Sequence, residues 1–376
     1  MTHVAPAEVA PGDLTQPGGS QHLGSHRRIR VPRQPLVRHL ALAICGGAIL
    51  YFVTNALNPY NDYLVGEIAA YLIALAGLSV LTGISGQISL GHGAFMAVGA
   101  YTIALLMTHT QLNFIVELLA AIGVAALMGV VIGISATRLK GPYLAGMTLL
   151  VALALPPIAD KWNSTFGGDQ GLPTTVPAAP GSVNPEQWLA WIQIAGALVT
   201  LVLLANLVSS RFGRSFRAVH DNEVSAALSG VHVARTKVTA FVVSAACGGL
   251  AGAFLALSTG VVNTGEFPLS LSVQLLAAMV LAGTGSLVGM VWGAVLLVYV
   301  PQWSTSLSSH FNLGSGASAY LATIIFGAFL IVVMIVAPTG IQGGLRWLVG
   351  QISKLLPRSR VVGPAGTQLL DEGSSR

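Results

Sequence analysis

Apolar runs long enough to cross a bilayer recur along almost the whole chain, and nothing constrains its fold more. A spanning helix needs roughly 20 predominantly apolar residues. Runs of that order lie near 36–57, 63–82, 93–109, 114–136, 142–160, 188–209, 237–260, 268–283, 285–302 and 318–337. Hydrocarbon offers no water to backbone N–H and C=O groups, so long apolar runs satisfy themselves as helices. The composition agrees: 53% of residues are hydrophobic and 8% charged, and the mean hydropathy is +0.74, well beyond an ordinary soluble domain. The sequence predicts an all-α polytopic membrane protein of about ten transmembrane helices. Glycines interrupt it near 83–92 and 283–285, where the chain either turns between spans or forms a broken helix or re-entrant segment.

The charges set an orientation. Every one of the 18 Lys and Arg residues except Lys161 falls on one side of this topology: in the N-terminal stretch, at Arg138 and Lys140, between Arg211 and Lys237, and in the C-terminal stretch. The positive-inside bias makes that side cytoplasmic, with both termini inside. Residues 1–35 are rich in Pro, Gly, Ser and His and lead into a basic cluster of Arg27, Arg28, Arg30, Arg33 and Arg38. They read as a disordered cytoplasmic tail, too long and too polar for a cleaved signal peptide. Residues 36–345 then form the transmembrane domain and 346–376 a second cytoplasmic tail. The stretch 161–187 carries Gly167, Gly168 and Gly171 among prolines and is an external surface loop, either a docking surface or a passive connector.

The chain has 44 glycines, which suits membrane helices because small residues let backbones approach where lipid supplies no hydrophobic drive. GxxxG spacings occur at Gly129/Gly133, Gly248/Gly252, Gly285/Gly289 and Gly289/Gly293. Cys45 and Cys247 sit far apart in apolar runs, a pattern for structural thiols and not for a disulfide or metal site.

Several chemistries are excluded. None of the nine His is followed by Glu, so there is no HExxH zinc motif. None of Lys140, Lys161, Lys237 and Lys354 follows a glycine, so no phosphate-binding Walker loop exists and the chain is no ATPase or other enzyme by motif. No cofactor is expected. The acids lie in loops, tails or near span ends, with Glu67, Glu117 and Glu266 nearest the membrane. A proton-coupled carrier usually keeps an acid at mid-depth, so any uphill transport would draw on a partner.

One charged segment separates two strongly apolar regions. Between 211 and 237, Arg211, Arg214, Arg217, Arg235 and Lys237 bracket a short helical run, Asn222 to Ser229, in which Ala226 and Ala227 offer a small open face. Gly230 ends it, as glycines end helices. A basic, small-faced helix at the membrane surface suits docking by another protein; the alternative is an ordinary cytoplasmic loop obeying the positive-inside rule.

Four stretches, GISGQISLGHGAFMAVGAY (83–101), TFGGDQGLPTTVP (165–177), GRSFRAVHDNEVSAALSGVHVARTKVTAFVVSAACGGLAGAF (213–254) and LAGTGSLVGMVWGAVLL (281–297), resemble the signature stretches of the LivM-type permeases, the membrane subunits of ABC importers for branched-chain amino acids. The resemblance runs in order from about 60 to 345 and leaves out both tails. It implies a multi-pass bacterial inner-membrane subunit working with a homologous LivH-type permease, two cytoplasmic ABC ATPase subunits and an extracytoplasmic solute-binding protein, with no nucleic acid involved. It also implies that the 211–237 segment couples to the ATPases through Arg217, Glu223, Ala226, Ala227 and Gly230. The departure is His220, where the family pattern carries Arg and this chain has an imidazole.

Related subunits carry urea, short amides or other small polar solutes, and the motifs separate these readings poorly. A self-sufficient channel or secondary carrier is the reading from another class. For the translocation path the expectation is the break at Gly83–Gly93, with Gly86, Gln87, Ser89, Gly91 and His92, and a weaker counterpart with Gly283 and Gly285. Freed backbone groups are tolerated at membrane depth only where they face protein or water. Uncharged polar side chains there suit a small neutral or zwitterionic solute; the alternative is that Gln87 and His92 hydrogen-bond between helices as packing glue.

Overall fold

The computed structural model describes residues 58–310 apart from 111, 140 and 182, with scattered positions between 40 and 54 and between 324 and 344. The tails at 1–35 and 346–376 and most of the apolar runs at 36–57 and 318–337 lie outside the described residues.

Each expected run between 63 and 302 is a helix. α1 (Pro59–Leu78) continues into a π-helical turn (Ser79–Ile84). Next come α2 (His92–His109), α3 (Phe114–Ala136), α4 (Pro142–Lys161), the single turn α5 (Asn163–Phe166) and α6 (Pro185–Ser209). They are followed by α7 (Arg211–Asp221), α8 (Glu223–Leu228), α9 (Val233–Thr259), α10 (Leu269–Ala282) and α11 (Met290–His310). Proline opens α1, α4 and α6, where its missing N–H would have had no intrahelical partner. Asn113 caps α3 by accepting from the Ile115 N–H at 3.0 Å. Among the described residues five helices, α1 with its π turn, α3, α4, α6 and α9, are long and apolar enough to cross a membrane, and α10 and the first part of α11 are shorter apolar helices.

Burial separates these helices into an inner and an outer set. The apolar stretches of α9 and α1 are 83% and 78% buried inside the chain, against 39% for α6, 28% for α3 and 22% for α4. The cause is visible in α3. Ala121, Ala125, Gly129 and Gly133, four residues apart, are buried, while Ile115, Leu119, Leu127, Val131 and Ile134 are exposed. Four-residue spacing puts the small side chains on one face, and that face lies against α9: a Cβ on Gly129 would come within 2.6 Å of Ala245 Cβ, and one on Gly133 within 3.1 Å of Phe241 Cβ. On its other sides α9 presents Gly248 to Phe95 of α2, Gly252 to the Met96 backbone and Cys247 to Gly77 of α1. Large residues face outward and small ones inward because lipid solvates Leu as well as protein does, which leaves close packing as the association force.

Polar struts join the same helices. Buried Gln193 on α6 donates to the Phe254 carbonyl at 2.9 Å and to Ser258 Oγ at 2.8 Å, and its amide lies on the bare backbone of Gly66 in α1. After α4 the chain forms a two-residue strand β1 (Leu172–Pro173) antiparallel to β2 (Val261–Val262). Thr174 adds bonds from its N–H to the Gly260 carbonyl at 2.9 Å and from its hydroxyl to the Ala256 carbonyl at 2.6 Å. The 161–187 loop is thereby tied to the end of α9.

Candidate functional site

The segment between α6 and α9 folds as two short helices at right order of polarity for a surface. In α7, Gly213, Phe216 and Val219 are buried at three-residue spacing, and Arg211, Arg214, Arg217 and His220 are exposed. Ser210 caps it through the Phe212 N–H at 3.1 Å. Asn222 caps α8 by accepting from Val224 and Ser225 N–H, both at 3.0 Å. Gly230 reverses the chain at φ +84°, with its N–H on the Ala227 carbonyl and the Val231 N–H on the Ala226 carbonyl, both at 3.0 Å; only glycine takes this backbone without strain. Lys237, in the first turns of α9, is 4% exposed and its Nζ lies 2.6 Å from the Glu223 carboxylate. That ion pair clamps α8 to α9.

The first glycine break stands beside this segment. α1 loosens into the π turn, after which residues 86–89 are neither helix nor turn and α2 begins at His92. Side chains alternate as in a strand: Ser85, Gln87 and Ser89 are buried, while Gly86 and Ile88 are exposed. Neighbours fasten the extended backbone. The Leu90 N–H donates to Thr148 Oγ1 on α4 and the Gly93 N–H to Ser272 Oγ on α10, both at 3.0 Å. Gln87 Nε2 donates to Ser85 Oγ at 2.7 Å, whereas Gln87 Oε1 and Ser79 Oγ are buried without a hydrogen-bond partner among the described residues. His92 Nδ1 lies 3.5 Å from Ser244 Oγ. Ser244 is eleven residues into α9, about 17 Å along the helix axis, so the extended segment climbs from the end of α1 to the middle of the bundle. Such backbone is tolerated at that depth because protein covers it.

The second break is of another kind. α10 ends at Ala282, Gly283 and Gly285 take φ +106° and +77°, and α11 starts at Met290. It is a turn between two helices. The two breaks nevertheless meet, since a Cβ on Gly83 would lie 2.5 Å from Gly285 N and 3.0 Å from its Cα. The 211–237 segment meets them too: His220 Nδ1 is 3.3 Å from the Ile84 carbonyl, and a Cβ on Gly86 would lie 2.7 Å from the imidazole.

The family of branched-chain amino acid transport system permease components matches this sequence over residues 60–337. The chain belongs to that family. Its relatives include the high-affinity branched-chain amino acid transport system permease protein LivM of Escherichia coli, 30% identical over 296 residues, 72% of this chain and 67% of the relative. LivH of Salmonella typhimurium is 26% identical over 318 residues, 78% and 96%. BraD of Pseudomonas aeruginosa is 26% identical over 301 residues, 75% and 94%. No solved structure matches the chain.

Several expected roles in this permease change once side chains are placed. Ala226 and Ala227 do not share an open face: Ala226 is 3% exposed and Ala227 is exposed, because successive helical residues diverge by about 100°. The outward face of α8 is apolar instead, with Val224 68% and Leu228 85% exposed. Glu223, one of the coupling residues that the resemblance implies, is paired with Lys237. Arg217 is exposed and reaches the Val208 carbonyl at 3.3 Å. Gln87, Ser89 and His92 are buried, so in this conformation they face the interior of the permease. Gly91 gives passage to the Thr148 carbonyl, against which a Cβ would press. Sequence reasoning missed Thr148, Ser272 and Val224 with Leu228. Lys237 could have been paired with Glu223, since the two flank the Gly230 reversal that brings them together.

Proposed function

We propose that this chain is a membrane permease subunit of an ATP-driven importer for branched-chain amino acids in a bacterial inner membrane, crossing about ten times with both termini cytoplasmic. It forms half of a translocation path with a homologous permease, receives its solute from an extracytoplasmic binding protein near the 161–187 loop, and is driven by two ATPase subunits. The observation that carries the ATP-driven part is the face of α8. Val224 and Leu228 stand exposed next to a basic, otherwise polar surface, and the pairing of buried Lys237 with half-buried Glu223 makes the helix rigid enough to transmit force. Exposed apolar side chains outside lipid are a docking signature.

The path follows the outward side of the first break, at Gly86 and Ile88, with Gln87, Ser89 and His92 behind it. These polar side chains reach the solute when the break opens, which Gly91, Gly283 and Gly285 permit. The test is uptake by proteoliposomes holding the complete complex, with leucine, isoleucine and valine as solutes and urea and short amides beside them. ATP-dependent uptake of the branched-chain amino acids is expected, and Val224→Asp with Leu228→Asp should release the ATPases. Uptake of urea or amides alone reassigns the solute; ATP-independent uptake by the isolated chain makes it a channel or carrier.

A further inference from the structure

We infer that His220 is a positioning residue through which movement of the docking segment enters the first glycine break. The inference rests on the ATP-driven reading above and assigns that reading a mechanical link. His220 is the penultimate residue of α7, two residues before the Asn222 cap that starts α8, so a partner that shifts α8 shifts His220. Its imidazole lies against Gly86, which has no side chain: a Cβ there would sit 2.7 Å from Cδ2 and 2.9 Å from Cγ. Its Nδ1 lies within 3.3 Å of the Ile84 carbonyl, at the last residue of the π turn. The ring thus touches the chain on both sides of Ser85, where helix gives way to extended backbone.

That junction is built to rearrange. A π turn holds the backbone with wider, less favourable hydrogen bonds than an α-helix and marks functional sites. Ser79 Oγ, at the start of the π turn, and Gln87 Oε1, beyond its end, are buried without hydrogen-bond partners among the described residues, so hydrogen-bonding capacity is unused here and is available to a second arrangement. Gly83, within the same turn, abuts Gly285, so a shift at the first break is felt at the second. An exposed apolar docking face, a ring wedged at the junction and unsatisfied polar atoms beyond it form one contiguous chain from the surface to the path.

The experiment compares solute taken up per ATP hydrolysed in proteoliposomes holding the whole complex, for the wild type, His220→Ala and His220→Asn. Asn places an amide N–H near the position of Nδ1 and keeps a donor for the Ile84 carbonyl. His220→Ala is expected to lower the ratio by about tenfold, within the usual range of coupling between sites, while the ATPases stay bound and hydrolysis continues. His220→Asn is expected to recover most of it. A wild-type ratio in the alanine variant overturns the inference, as does a complex that comes apart or loses hydrolysis in step with uptake, since either makes the residue a docking or folding element. Failure of the wild type to need ATP at all would instead remove the proposed function.

Discussion

The two glycine breaks look alike in sequence and do different things. Around Gly83–Gly93 the backbone leaves the helix, extends with buried Ser85, Gln87 and Ser89, and is fastened by Thr148 and Ser272 from two other helices. Around Gly283–Gly289 it turns from α10 into α11, stitched by a Gly289 N–H bond to Ser286 Oγ at 3.2 Å. Glycine permits both outcomes; the polar residues between the glycines, and partners on neighbouring helices that satisfy the freed backbone, decide which one forms.

The comparison breaks most visibly at the place where the two meet. Gly83→Val puts a branched side chain into the Gly285 backbone and should cost about 3 kcal/mol, as overpacking does, whereas Gly285→Ala meets only ordinary contact at 3.5 Å and should cost about 1–2 kcal/mol for its left-handed backbone. Thermal unfolding of the purified chain in detergent checks the order, and equal losses would mean the contact is not a tight one. The charged segment between α6 and α9 comes next. Glu223→Ala leaves Lys237 buried without its partner, and because Glu223 is 31% exposed the cost should be about 2 kcal/mol, less than for a fully buried pair. Loosening of α8 would be read as faster proteolysis between Asn222 and Val231; unchanged cleavage would show that the pair clamps nothing.

A smaller effect tests the fastening of the first break. Thr148→Val preserves shape and removes the acceptor of the Leu90 N–H, so it should cost about 1–2 kcal/mol, and Ser272→Ala should do the same for Gly93. Hydrogen exchange should rise at residues 88–93 and stay constant at 283–289. The smallest effect lies at the far end of the helix leading to the second break. Glu266, in the loop before α10, is pushed up to about 7 by burial, against which the Thr259 hydroxyl acts. Its folded form holds a proton that the unfolded chain releases near 4.5, so its contribution is present at low pH and is lost as pH rises through 7. The unfolding temperature should fall between about pH 5 and about pH 8, and Glu266→Gln should flatten that slope.

Much of this was legible beforehand where one residue type has one physical consequence. The helices between 63 and 302, the glycine reversal at Gly230 and the close-packing role of Gly129/Gly133 and Gly248/Gly252 follow from hydropathy, backbone freedom and side-chain size. The sidedness of Ala226 and Ala227 was not legible, because a six-residue helix carries too few apolar positions to show which face is buried. The Glu223–Lys237 pair was open to inference, because the two flank the Gly230 reversal, but a carboxylate on a basic segment does not by itself say which cation it takes.

Sequence alone therefore determined that this chain is a helical membrane protein and where its helices run, because burying backbone in hydrocarbon leaves no other solution over such long apolar runs. The tertiary structure alone decided that α9 and α1 lie inside and α3 and α4 outside, although all four are apolar enough to span. Hydropathy cannot make that distinction, since lipid and protein interior are equally apolar, and only the matching of small residues across facing helices selects the neighbours. It also brought His220, Gly86, Gly83 and Gly285 to one point from three distant parts of the chain. Contacts of that range depend on how helices stack, and no local pattern records it.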